Sequence, residues 1–251
     1  MKVNNLTYKV GDKTIISDIN LELDPGGFYI LLGRNGSGKT TLLRAMSKSI
    51  PVENQKVYIS GQDINTLSPK QLAKSLAVVP QHTEFLFDFS SYQIVMMGRM
   101  PYQKLLQSDT KEDLRIVQES MERTNTWHLR NRSIKQLSGG ELQRVIIARA
   151  LSQTTPTIFL DEPISNLDIK HQYEIMDMLK EINQDYKIRI LLILHDLNLA
   201  YQYAQDIMIM EEGRLVHSGP KQEILTQDNI NDLFGVRAEI IDNTYINIRK
   251  K

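Results

Sequence analysis

Eight residues, Gly33-Arg34-Asn35-Gly36-Ser37-Gly38-Lys39-Thr40, match the pattern G-x-x-x-x-G-K-[ST] and leave few folds open to this chain. The run Phe28 to Leu32 before them is continuous and apolar, as a strand buried on both faces is. A helical pattern starts at Lys39 and continues to about Ser47. Strand, glycine-rich turn and helix in that order form a phosphate cradle. The glycines let the backbone curl until successive N–H groups point inward, and the helix N-terminus adds its positive dipole. Lys39 is placed to reach the β- and γ-phosphates of a nucleoside triphosphate, and the Thr40 hydroxyl to bind Mg²⁺.

Strand and helix signals alternate around this loop. Residues 1–32 read as strands: Ile15, Ile19, Leu21 and Leu23 alternate with polar neighbours, and Asp24-Pro25-Gly26-Gly27 is a turn. Further strands are expected at Lys56 to Ile59, Leu76 to Val79, Thr157 to Leu160 and Ile188 to Leu194. Helices are expected from Pro69 with Ser68 as N-cap, from Asp109 through Ile116, Val117 and Met121, and from Ser138 to Leu151. Two more are expected at Lys170 to Gln184 and Leu197 to Gln205, with a closing hairpin over 236–248 around Asn243. The alternation predicts an α/β fold, a mostly parallel sheet with helices outside. Residues 82–137 lack strand signals and read as helical.

The 251 residues suffice for a full α/β core. Lys plus Arg is 30 and Asp plus Glu is 30, so no global charge draws the chain to nucleic acid or anionic lipid. Without cysteine there is no disulfide framework or thiolate metal site. Met1 to Tyr8 is polar, with no signal-like apolar core. The longest aliphatic run, Ile190 to Leu194, is far short of the ~20 residues that span a bilayer. A membrane role would come through a partner.

Ile158-Phe159-Leu160-Asp161-Glu162-Pro163 is a second strand ending in chemistry. In a parallel sheet such a strand end lies beside the phosphate loop. Asp161 is suited to holding Mg²⁺ through water, and Glu162 to orienting and polarising an attacking water.

Leu137-Ser138-Gly139-Gly140-Glu141-Leu142-Gln143-Arg144 resembles the signature motif that defines ABC ATPases. A hydroxyl and glycine N–H groups at a helix start make a second anion site, which suggests that each ATP is clamped between two subunits, head to tail. The resemblance covers the whole chain. Gln81 matches the Q-loop glutamine, Ser165-Asn166-Leu167-Asp168 the D-loop, and His195 the switch histidine. It implies a P-loop NTPase (RecA-like) core with an N-terminal antiparallel β subdomain and an inserted α-helical subdomain. The implied single domain, 1–251, has its catalytic core and β subdomain in 1–81 and 153–251, and a helical subdomain carrying the signature in 82–152.

The resemblance also implies roles. ATP is held by Gly33 to Thr40 and by Thr41, and Mg²⁺ by Thr40, Gln81 and Asp161. Glu162, His195 and Gln81 are catalytic; Gln81 senses Mg²⁺ and a permease, and His195 contacts the γ-phosphate. Ser138, Gly139, Gly140 and Glu141 contact the ATP of the opposite subunit, and Asp168 couples the two sites. The family usually stacks an aromatic residue on adenine just before the first turn. Here that position is Val10, with Tyr8 two residues back. His82, His128, His171 and His217 are scattered and read as surface or packing residues.

Gly98-Arg99-Met100-Pro101-Tyr102, Leu167 to Gln172 and Leu194 to Ala200 resemble the importer ATPases for iron–siderophore complexes, haem and vitamin B12. The expected activity is therefore ATP hydrolysis coupled to import of an iron complex, a siderophore in preference to haem or B12, with an ABC exporter subunit as the alternative. A soluble ABC ATPase acting on nucleic acid is disfavoured, since no sustained heptads lie between Thr40 and Leu137. The implied partners are a membrane permease, a second ATPase subunit and, indirectly, an external substrate-binding protein, with no nucleic acid. The place of action is the cytoplasmic face of the cell membrane, as a peripheral protein. Residues 82–105, with Phe85, Leu86, Phe87, Phe89, Tyr92, Met96 and Met97, are the expected permease contact.

Overall fold

In the computed structural model, which describes residues 1–104, 108–241 and 245–250, the elements follow the predicted alternation. The chain opens with β1 (Lys2–Val10), β2 (Lys13–Glu22), β3 (Phe28–Gly33), α1 (Lys39–Met46), β4 (Val57–Ile59) and β5 (Gln62–Asp63). Then come α2 (Pro69–Ser75), β6 (Ala77–Val79), α3 (Ser91–Met96), α4 (Lys111–Arg123), α5 (Gly139–Ser152), β7 (Thr157–Asp161) and α6 (Ile169–Tyr186). The remainder is β8 (Arg189–Ile193), α7 (Leu197–Tyr203), β9 (Asp206–Glu211), β10 (Arg214–Pro220), α8 (Lys221–Ile224), α9 (Gln227–Phe234), β11 (Val236–Ile241) and β12 (Tyr245–Lys250). Two compact units result, one from Met1–Leu67 together with Arg189 onward, the other from Ser68–Ile188.

The first unit holds an antiparallel sheet in the order β2-β1-β4-β5 and the strands β10-β9-β3-β8. β3 runs parallel to both β8 and β9. Every residue of β3 and of β8 is buried, as continuous apolar sequence between covered faces requires. In β1 and β2 the buried residues are Val3 and Leu6, and Ile16, Ile19 and Leu21; the three-residue steps span Asn5 and Asp18, both at positive φ where the pairing register shifts, so strict alternation is broken there. The C-terminal hairpin pairs β11 with β12 in antiparallel register, Ile241 opposite Tyr245; the expected turn at Asn243 lies outside the described residues. The Asn198 side-chain amide on α7 donates to the Ile246 carbonyl at 3.1 Å and accepts from the Ile246 N–H at 2.7 Å, so β12 is tied to the helix that follows His195.

The second unit pairs β6 with β7 in parallel and holds helices α2 to α6. α6 buries Ile175, Met176, Leu179 and Ile182 at helical spacing. Most boundaries fall within one or two residues of expectation, and two of the shifts are instructive. The helix expected from Asp109 begins at Lys111: Thr110 is its N-cap, with a reciprocal bond from Asp113, while Asp109 accepts from Gln103 at 2.6 Å. In the first unit, α7 stops at Tyr203, short of Gln205, because Ala204 takes an extended conformation that leads into β9.

Arg99 is the buried hub of the helical segment. Its Nε donates to Asp113 at 2.8 Å, its Nη1 to the Ser152 carbonyl at 2.7 Å and to the Thr154 hydroxyl at 3.0 Å. The guanidinium also lies 4.1 Å from the centre of the Tyr102 ring. Burial pushes the Asp113 carboxyl up, but hydrogen bonds from Thr110 and Arg99 outweigh it and hold the group below its usual range. Arg99→Met should therefore destabilise the protein by about 3 kcal/mol or more, because it strands a buried carboxylate. Urea unfolding measures this, and a midpoint equal to wild type would mean that the hub is not structural.

Candidate functional site

The loop between β3 and α1 has the predicted form. Gly38 caps α1 with φ +98°, a left-handed conformation, and a Cβ there would come within 2.8 Å of the Ile16 side chain. Glycine is the residue this corner accepts. Inside the loop the Lys39 ammonium donates to the Gly33 carbonyl at 2.9 Å and to the Arg34 carbonyl at 3.1 Å. Lys39 is only 6% exposed, so its charge sits at the centre of the turn. The Ser37 hydroxyl is buried with no hydrogen-bond partner among the described residues, an orphaned polar atom inside a loop built for oxyanions. The Ser37 carbonyl accepts from Gly213, which anchors the loop to the β9–β10 turn.

Register explains why His195 belongs to the same end of the sheet. Leu31 of β3 pairs with Ile193 of β8 in parallel. Two residues beyond each lie Gly33 and His195, so loop and histidine leave the carboxyl ends of neighbouring strands. His195 is exposed, and Asp196 after it caps α7 by accepting from the Leu199 N–H at 2.9 Å.

The same logic operates in the second unit. Val79 of β6 pairs with Leu160 of β7, and two residues beyond each lie Gln81 and Glu162. The Gln81 Nε2 donates to the Glu162 Oε2 at 2.7 Å. Asp161, the last residue of β7, is 4% exposed. Glu162 has φ +49°, which turns the chain sharply out of the strand. A cavity of about 190 Å³ lies among Gln81, Glu162, Gly139, Gln143 and Leu167.

Ser138 caps α5 with the reciprocal pair that its spacing to Glu141 predicts. The Ser138 Oγ accepts from the Glu141 N–H at 3.3 Å, and the Glu141 carboxylate accepts from the Ser138 N–H at 2.8 Å. That backbone N–H holds the Glu141 carboxyl below its usual range, despite some opposing desolvation. Ser138 and Gly139 are exposed and Gly140 is buried. Asp168 caps α6, and its carboxyl is likewise held low, chiefly by the His171 backbone N–H. The His171 imidazole Nδ1 donates to the other Asp168 oxygen at 2.7 Å. His171, expected to be a surface or packing residue, thus bonds a candidate site residue, and its spacing of three from an N-cap aspartate is the sequence signal for that contact.

Val10 is 59% exposed at the end of β1, and Tyr8 is half-buried. The β1–β2 register shifts between Tyr8 and Lys9, so regular alternation does not carry from one to the other.

Comparison with known proteins identifies the family. The ABC transporter family model matches residues 16–165. The chain is 35% identical over 240 residues to the probable siderophore transport system ATP-binding protein YusV of Bacillus subtilis, covering 96% of this chain and 87% of that one. It is 35% identical over 249 residues to the hemin import ATP-binding protein HmuV of Bordetella pertussis, covering 96% and 94%. The dimeric structure of MJ0796, a bacterial ABC transporter cassette, superposes with a TM-score of 0.76 at 26% identity, covering 88% of this chain and 98% of that one.

Proposed function

The chain belongs to the ABC transporter family of ATP-binding proteins, and we propose that the import it energises is that of an iron–siderophore complex. It is an ATPase coupled to transport, working as one of two ATP-binding subunits with a membrane permease. No helix among the described residues is long and apolar enough to cross a membrane. We place the protein at the cytoplasmic face of the cell membrane, with an external substrate-binding protein as an indirect partner and no nucleic acid.

The observation that best supports the hydrolytic reading is the Gln81–Glu162 hydrogen bond at the ends of two parallel strands. Glu162 takes the proton of the attacking water, and Gln81 holds that carboxylate in place. Lys39, Thr41 and the N–H groups of Gly33 to Thr40 hold the triphosphate. His195 contacts the γ-phosphate, and Val10 or Tyr8 meets adenine. Ser138, Gly139, Gly140 and Glu141 face the nucleotide of the second subunit, and Asp168 couples the two sites. The Thr40 hydroxyl in one unit, and the Asp161 carboxylate and Gln81 side-chain oxygen in the other, are hard oxygen donors of the kind Mg²⁺ selects and are the residues that would hold it. When bound, Mg²⁺ neutralises charge that develops on the β- and γ-oxygens.

We assign 82–152 as the helical subdomain and its rim as the permease contact. Leu86 is 88% exposed, Phe87 69% and Met100 65%, an apolar group suited to gripping a short helix. The cargo reading draws on the two relatives, one named for siderophore transport and one for hemin import, since iron is common to both cargos. Deleting the gene should abolish cellular uptake of radioactive iron presented as a siderophore complex and spare uptake of haem and cobalamin. A wild-type copy should restore uptake, and a Lys39→Ala copy should not. Loss of haem or cobalamin uptake instead would move the cargo, and loss of efflux alone would make the system an exporter.

A further inference from the structure

The loop that ends in Asp168 rests on the turn that opens α5. A Cβ built on Gly139 would lie 3.5 Å from the Leu167 side chain, and one built on Gly140 would lie 3.0 Å from the His171 ring. His171 also reaches Asp168 twice, through its backbone N–H at 3.0 Å and its imidazole Nδ1 at 2.7 Å. The first of these bonds is ordinary helix capping. The second is additional, and it holds the ring over Gly140. Gln172 braces the same loop by donating to the Leu167 carbonyl at 3.0 Å.

We propose that His171 is a positioning residue that locks the Asp168 carboxylate to the Ser138–Gly140 turn, so that the D-loop and the ATP-clamping turn move as one body. The inference rests on the reading that this turn clamps the nucleotide of the second subunit. An ionised carboxylate only accepts hydrogen bonds, so the proton of the shared bond resides on Nδ1. Imidazole is rigid, so an Asp168 carboxylate drawn across to a second subunit would pull the ring and the turn beneath it. His171 touches no nucleotide on this reading; it acts through Asp168 and Gly140.

The test uses the Glu162→Gln protein, in which ATP should drive stable dimerisation that size-exclusion chromatography detects. Adding His171→Ala should raise the ATP concentration for half-dimerisation by about tenfold, the scale of one lost charge-assisted hydrogen bond. Nucleotide affinity of the dilute monomer should not change. His171→Asn keeps a donor at the Nδ1 position and should recover most of the loss, whereas His171→Phe keeps the ring and should not. Dimerisation of the alanine variant at the parent's ATP concentration would overturn the inference, as would equal losses for alanine and asparagine or a fall in monomer affinity. Failure of Glu162→Gln itself to dimerise on ATP would instead remove the shared-clamp reading beneath it.

Discussion

Glu162→Gln should retain ATP binding and lower hydrolysis by roughly 10²- to 10⁴-fold, the range expected for loss of a positioned general base. The structure makes this substitution conservative in everything except basicity. Glutamine offers an amide oxygen where Glu162 accepts the Gln81 hydrogen bond at 2.7 Å, so the pair can persist. The backbone at Glu162, with φ +49°, is no more strained by glutamine than by glutamate. What disappears is the carboxylate that takes a proton from water. Steady-state phosphate release and nucleotide binding, measured on the same preparation, separate the two quantities. Turnover at the wild-type rate would remove Glu162 from the mechanism.

Lys39→Ala should weaken ATP binding by roughly ten- to a hundredfold, about 1.5–3 kcal/mol for a lost hydrogen bond to a charged group. The buried ammonium bonds the Gly33 and Arg34 carbonyls. Alanine therefore removes both a cation directed at phosphate and a tie that shapes the turn. Lys39→Arg separates these contributions, because it keeps the charge but its planar fork does not fit a pocket built for a point donor. Calorimetric titration with ATP reads the affinity, and circular dichroism checks the fold. An unchanged affinity for Lys39→Ala would mean that nucleotide binds elsewhere.

Much of this architecture was legible because local chemistry and tertiary position agree. The Gly33 to Thr40 pattern, the apolar run into Asp161 and the Ser138–Glu141 spacing each specify a strand end or a helix start, and each occurs where expected. The shift of a helix start from Asp109 to Thr110 has a physical origin. Both are good capping residues with a carboxylate three positions on, but Glu112, three beyond Asp109, is taken by Arg115 at 2.6 Å, whereas Asp113 accepts from the Thr110 N–H at 3.1 Å and completes the reciprocal pair. The β9–β10 hairpin has only a weak sequence signal, the apolar run Ile207 to Met210 followed after Glu211 by the turn Glu212-Gly213, both with positive φ. Long-range partners were out of reach. Spacing alone does not reveal that Gln81 bonds Glu162 across 81 residues, or that Arg99 meets Ser152 and Thr154. These follow from strand register and helix packing, which a single sequence leaves open.

The reciprocal cap at Ser138 has a consequence for inheritance. Aspartate caps a helix about as well as serine, so a Ser138→Asp chain would keep α5 and the bonds that start it. On the proposed arrangement it would also set a carboxylate against the phosphates held by its neighbour. Such a chain would fold, load its own nucleotide loop and spoil the loop opposite. Where altered and normal copies assemble at random, every mixed pair would carry one damaged site, so the lesion would be dominant and a minority of altered chains would silence a larger share of transporters.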